Sequence, residues 1–355
     1  MTAERDLATF AAELTFEDIP EAVRDRTGLT VADTLGAIVG GSTDDAIRSL
    51  ARRWTESVSG TATVLGTDGT ETAPPLAAFC NGAAGTVLEL DEGHRFAAGH
   101  PSIHVLPALL ADAEVGYGNS EAFVRSFVAG YEVAVRTARA LGTLESGYHP
   151  HGVWGAVGGA AAVARSRDLD PETTRTAMAI AANYAQHTRF EAATEGATVR
   201  NTYAGTSNLS GHLVATQAEA GFTGLDDGIV RHLGLAAADE VETAALSADL
   251  GDDVQIGERG LDHQHVCALL DIESNLAAGL AGVCGVHLVV SAVAKGGGTV
   301  GRVAKGTVKG RLVFRGVAHH RDVLETRPVE SRADTPNHPV HHAGGRDHVR
   351  AGLGV

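Results

Sequence analysis

Gly155-Ala-Val-Gly158-Gly159-Ala-Ala-Ala162 is the run that decides the fold, because its glycines read in two incompatible ways. After a strand they would cradle a phosphate and imply a nucleotide-binding α/β fold. Inside a helix they would let neighbouring helices pack closely. The G-x-G-x-x-G spacing and a preceding strand are both absent, so the run predicts a packed helix over Gly152 to Arg167. Helical patterns continue outward on both sides, over Pro171 to Tyr184 and Tyr203 to Ala220. Upstream, Asn119 or Ser120 caps a long helix carrying Phe123, Phe127, Tyr131 and Val135 on one face. Further helices are predicted from an Asp18 cap with Pro20 in the first turn, from a Ser42 or Thr43 cap toward Trp54, over Ala73 to Leu90, and over Pro107 to Val115. One short strand ends in the Asp68-Gly69 turn. The fold class is mainly α.

The chain has 355 residues and a formal charge of -16. Such a charge repels nucleic acid and anionic membranes at long range, so neither is an expected partner. No apolar run is long enough to cross a membrane and no basic leader opens the sequence, so a cytoplasmic location is expected. Three scattered cysteines, Cys80, Cys267 and Cys284, suit neither a disulfide framework nor a zinc site. Residues 1–250 contain no lysine. That acidic, lysine-free habit resembles proteins of salt-rich cytoplasm.

Residues 1–250 are expected to form an all-helical catalytic domain. After about residue 253 the acidic excess ends, all three lysines occur, and histidines cluster at His263/His265, His319-His320 and His341-His342. Residues 251–355 are read either as a lid-like C-terminal region or as the product of a shifted reading frame in a GC-rich gene. Translating the three frames of the coding DNA separates these readings.

Chemistry concentrates in two loops. The first is Leu88-Glu-Leu-Asp91-Glu-Gly-His94-Arg95-Phe-Ala-Ala-Gly-His100-Pro101-Ser102-Ile-His104. Histidine suits proton transfer near neutral pH, and a nearby carboxylate can orient its ring. The second loop is Gly147-Tyr-His149-Pro-His151-Gly152, where a histidine precedes a helix. Arg200 is a candidate fork for a carboxylate, because a guanidinium binds two oxygens at once. Each of these residues also has a plain structural reading as a turn or a solvated surface group. Neither H-E-x-x-H nor C-x-x-C occurs. The better metal candidate is Asp91 with His94, His100 and His104, although no metal or other cofactor is expected.

With these motifs the sequence resembles the MmgE/PrpD family, over about residues 5 to 250. The pieces are Asp18-Ile-Pro20, Asp33-Thr-Leu-Gly36, Asn81-Gly82 leading to Leu88-Glu-Leu-Asp91, Gly99-His100-Pro101-Ser102, Gly147-Tyr-His149-Pro150 and Gly221-Phe-Thr-Gly224. The resemblance implies a large helical domain with a smaller α+β lid, and cofactor-free acid/base chemistry at carbon next to a carboxylate. It implies catalytic roles for Asp91, His100 and His149, and a carboxylate anchor at Arg200. His94, Arg95 and Ser102 complete the expected substrate-binding set. Thr86 stands where relatives usually carry a histidine, and Ile103-His104 replaces the Asp-Asn of the dehydratase branch.

The expected function is thus a dehydratase, or a related lyase or epimerase, acting on a small di- or tricarboxylate. A homodimer is the expected assembly. Two other readings are a noncatalytic product with an incomplete lid, and a metal-dependent hydrolase using His94, His100 and His104.

Overall fold

A computed structural model describes residues 2–250, apart from 68, 117 and 118. Everything predicted for 251–355, the lid and the shifted frame alike, lies outside the described residues. The order is α1 (Ala3–Glu13), α2 (Glu21–Gly41), α3 (Asp45–Ser57), β1 (Ala62–Thr63), β2 (Glu71–Thr72), α4 (Pro74–Thr86), α5 (Pro101–Glu114), α6 (Ser120–Leu141), α7 (Gly155–Ser166), α8 (Pro171–Asn183), α9 (Glu191–Thr194) and α10 (Tyr203–Glu219). The two short strands pair antiparallel, so the described fold is mainly α. Among the described residues no helix is long and apolar enough to cross a membrane.

The deciding glycine run lies in α7, and every residue of that helix is buried. It packs against α1, α5, α6, α8 and α10, so it has no solvent face on which larger side chains could be accommodated freely. Its glycines make room for α5 and α6. A Cβ on Gly158 would lie 2.8 Å from the Gly130 carbonyl oxygen of α6, and one on Gly130 would lie 2.7 Å from the Gly158 oxygen. On Gly159 it would lie 3.1 Å from the His104 carbonyl oxygen of α5, and on Gly155 it would run into the His104 ring. Glycine inside a helix costs about 1 kcal/mol relative to alanine. Here that cost is offset by the packing of five helices round α7, and by the space left for a buried histidine.

Several helix ends fall where the sequence places them, and others move for identifiable reasons. The Asn119 side chain accepts from Ala122 N–H at the start of α6, and the Asp170 carboxylate caps α8 just before Pro171. At α3 the cap is Asp44, which accepts from the N–H groups of Ala46 and Ile47. Ser42 and Thr43 instead turn their hydroxyls back to carbonyls of α2. Asp18 is not a cap either, since its carboxylate closes a local turn with Thr15 while Pro20 occupies the cap position of α2. Helix α4 stops at Thr86, four residues before the predicted end, which releases residues 87–100 as a loop.

The largest difference is α5. It begins at Pro101 and runs through Pro107, which the sequence reading placed at a helix start. An internal proline removes one helical N–H and leaves the carbonyl four residues earlier without its donor. That carbonyl belongs to Ile103, and the Asn208 amide of α10 donates to it at 2.7 Å. The Asn208 oxygen accepts from Ala108 N–H at 2.9 Å. One buried asparagine thus repairs both sides of the interruption, and the long α5 holds His100 and His104 in fixed register.

Candidate active site

The end of α4, the loop before α5 and the loop before α7 come together with the 3-10 turn Thr198–Thr202. Thr86 makes the junction. Its hydroxyl donates to the Asn201 carbonyl at 2.9 Å, and its carbonyl accepts from Arg200 at 2.8 Å. Threonine therefore supports the arginine at a position where the family resemblance leads one to expect histidine.

His100 sits immediately before α5. Its Nδ1 faces three acceptors, the carbonyls of Glu92 at 2.9 Å and Asp91 at 3.1 Å and the Asp91 carboxylate at 3.4 Å. The hydrogen must therefore be on Nδ1, which leaves the lone pair on Nε2. His149 has the opposite arrangement. Its Nδ1 accepts from the His151 backbone N–H at 3.1 Å, so the neutral ring carries its hydrogen on Nε2. Between them lies His151, with ring centroids 4.9 Å from His100 and 4.8 Å from both His149 and His104. The structure thus sets a ring with its lone pair on Nε2 and a ring with its hydrogen on Nε2 each against a third, buried ring.

Burial sets the electrostatics. His151 is 1% exposed, and desolvation followed by its charged neighbours holds its pKa well below 6.5. Desolvation likewise lowers His149 to about 4 and His104 to about 3, with Arg200 and His100 adding to both effects. Asp91 is raised, first by desolvation, while His100 and Arg200 pull it back. Arg200 is itself buried, and its guanidinium is held by Glu89, with Nη1–Oε1 at 2.5 Å and Nη2–Oε2 at 2.6 Å. Glu89 is solvent-accessible and has a φ of 54°, so a carboxylate from the rim already fills the arginine fork.

Two of the residues expected to bind substrate have polar atoms engaged within the protein, and a third lies at the surface. Ser102 is fully buried and bonds Thr34 at 2.6 Å; since Thr34 donates to Thr30, the serine hydrogen is committed to Thr34. His94 is 1% exposed, and its Nδ1 accepts from Ala97 N–H within its own loop. Arg95 is exposed on that loop. The metal reading built on His94, His100 and His104 also changes. Among the described residues, the three groups whose ligand atoms converge, within 4.8 Å of one another, are Asp91, His100 and His151.

Two participants carried no role in the sequence reading. Glu92 is buried under the loop, where it accepts from Tyr131 O–H at 2.5 Å and Ser102 N–H at 3.1 Å, and burial raises it to about 7. His151 was visible only as the second histidine of His149-Pro150-His151. That one-residue spacing across a proline was the available signal.

The buried rings make a pH prediction. Histidines lowered to about 4 or below stay neutral at pH 5, where ordinary ones are protonated. Their folded pKa lies below the unfolded value, so the fold loses stability as pH falls from 6.5 toward 4, because the unfolded chain binds more protons. Glu92 acts in the opposite sense, losing stability as pH rises from 4.5 to 7. Nitrogen-15 NMR at pH 5 should show His104 and His149 as neutral imidazoles among protonated ones. Finding both protonated would contradict the site as described.

Comparison with known proteins places these features. The profile of the MmgE/PrpD N-terminal domain matches residues 5–239. Human cis-aconitate decarboxylase is 32% identical over 187 residues, covering 50% of this chain and 38% of that protein. The Aspergillus terreus cis-aconitate decarboxylase is 28% identical over 189 residues, 51% of this chain and 38% of the relative. A cis-aconitate decarboxylase-like protein of Aspergillus oryzae, oryM, is 34% identical over 122 residues, 32% and 25% of the two chains. The matched stretch is therefore well under half of each relative's length.

Proposed function

Because the chain belongs to the MmgE/PrpD family, whose N-terminal domain it matches over residues 5–239, we propose that it is a cofactor-free lyase. It acts at carbon next to a carboxylate in a small di- or tricarboxylate. The observation that carries this reading is the pair of opposed tautomers on His100 and His149. Family membership supports a lyase-type reaction, and the names of the relatives favour decarboxylation of a cis-aconitate-like substrate. Dehydration and epimerisation need the same groups.

In this reading Arg200 holds a substrate carboxylate as it now holds that of Glu89. His100 exchanges a proton with carbon through Nε2, and Asp91 beside Nδ1 stabilises the imidazolium when the ring is charged. In decarboxylation the carbon–carbon bond to the departing carboxylate breaks. The electron pair stays on the substrate, and the His100 imidazolium supplies the proton that neutralises it. In dehydration the neutral ring removes that proton and a second group must protonate the leaving hydroxyl. His149, neutral with its hydrogen on Nε2, donates to the substrate oxygen on which charge builds.

Binding is tested by melting the protein with and without millimolar cis-aconitate, since a ligand of the native state must raise the transition temperature. A family of such carboxylates that leaves the transition unmoved would sink the proposal. The Glu89–Arg200 pair gives a sharper form. Glu89→Gln removes the competing charge from a fork that binds carboxylates with about 1.5–3 kcal/mol. The Kd for cis-aconitate is expected to fall at least about tenfold in this variant. A weaker or unchanged Kd would show that Arg200 does not exchange Glu89 for substrate.

A further inference from the structure

We propose that Asp91, His100 and His151 form a site for one divalent transition cation of the zinc class, held by one carboxylate oxygen and two imidazole nitrogens. These groups can each offer one ligand atom such that all lie within 4.8 Å of one another. Around a tetrahedral zinc ion with bonds of about 2.0–2.1 Å, ligand atoms sit about 3.4 Å apart, so modest side-chain rotation closes the site.

Two further observations point to a ligand there. Apart from the 3.4 Å ion-pair contact of Asp91 Oδ2 with His100 Nδ1, both carboxylate oxygens of Asp91 and both ring nitrogens of His151 lack a hydrogen bond among the described residues, although the two residues are only 7% and 1% exposed. Buried polar atoms left this way are costly, and a cation coordinated by them removes the cost. His100 turns Nδ1 to backbone carbonyls, leaving Nε2 with its lone pair; a metal-bound histidine commonly directs its other nitrogen to a carbonyl in this way.

Two imidazoles and a carboxylate suit zinc, cobalt or iron better than magnesium or calcium, which take oxygen ligands. A cation here would occupy the lone pair of His100 and the charge of Asp91, the same groups the proposed proton transfer uses. It would inhibit that chemistry. The coordination itself does not depend on the functional proposal.

The test uses the full chain, stripped with a chelator and titrated with cobalt(II) by visible absorption and with zinc chloride by calorimetry. Histidines such as His319-His320 and His341-His342 can also take up cations, so the site is identified by difference. Asp91→Asn and His151→Asn should each weaken one cation equivalent at least about tenfold, while Arg95→Ala leaves it unchanged. His100→Asn, which keeps a donor for the carbonyls, is a third arm should either variant melt early. Equal affinity and stoichiometry in the wild type and in every folded variant would overturn the site, as would a wild type that binds no cation. Turnover measured in the same samples separates the two proposals. Cation-free protein that turns over cis-aconitate but binds no cation refutes this site alone, and protein that binds the cation but never turns over refutes the functional reading alone.

Discussion

Replacing His100 with alanine is expected to lower turnover of the carboxylate substrate at least about a hundredfold, because a positioned general acid or base contributes about 10²–10⁴. Alanine also strips a donor from the carbonyls of Asp91 and Glu92, which His100 meets at 3.1 and 2.9 Å. Loss of activity could then follow from a collapsed loop. His100→Asn separates the causes, since its amide can still donate to those carbonyls while offering no base. Turnover should fall as far in the asparagine variant as in alanine, with a melting temperature closer to wild type. Near-wild-type turnover in either folded variant would remove His100 from the chemistry. His149→Ala is expected to cost at least about a hundredfold as well, and a comparable loss there would support the pairing of base and donor.

The second large effect is on stability. Trp154 is among the largest fully buried side chains, 1% exposed, at the entrance to α7. Its ring lies 5.2 Å from that of His104, and a Cβ on Gly99 would come within 2.7 Å of it. The tryptophan therefore joins the glycine-rich central helix, the first site loop and the buried histidines. Trp154→Ala removes most of these contacts and leaves a cavity that the surrounding helices, packed through glycine, have little freedom to close. A loss of about 3–5 kcal/mol is expected, measured by denaturant unfolding followed by helical circular dichroism. Because the ring borders His104, the same variant should raise the His104 pKa from about 3 by admitting water. A loss below about 1 kcal/mol would show that the α7 entrance repacks and does not position the site.

The helical class was legible because periodicity and caps are local properties. Asn119 and Asp170 each lie directly before the helix they cap, and Pro171 follows its cap in the first turn. Asp44 won over Ser42 and Thr43 because those hydroxyls had nearer carbonyl partners in α2, which local spacing does not reveal. Pro107 was misplaced for a nonlocal reason. Its orphaned carbonyl is satisfied by Asn208, far along the chain, so the helix continues where local rules end it.

The site divides in the same way. Asp91, His100, His149 and Arg200 were visible as chemically apt residues at loop and helix junctions, and the structure gathers them. Their roles as acid, base and anchor are the proposal made above. What no linear reading could supply is tautomer and occupancy. The lone pair of His100 follows from two carbonyls pointing at Nδ1, and the hydrogen on His149 Nε2 follows from a backbone N–H donated to its other nitrogen. Ser102 shows the converse, since a hydroxyl two residues after His100 is committed to Thr34 across a helix interface.

The most direct measurement is proton NMR of the purified, chelator-treated full chain in D₂O with cis-aconitate and related di- and tricarboxylates, run beside His100→Asn. The account predicts that the wild type places deuterium on carbon next to a carboxylate, with or without loss of carbon dioxide, and that His100→Asn does so at least about a hundredfold more slowly. Folded wild-type protein that exchanges no such hydrogen in any of these compounds, or a variant that exchanges it as fast, would contradict it.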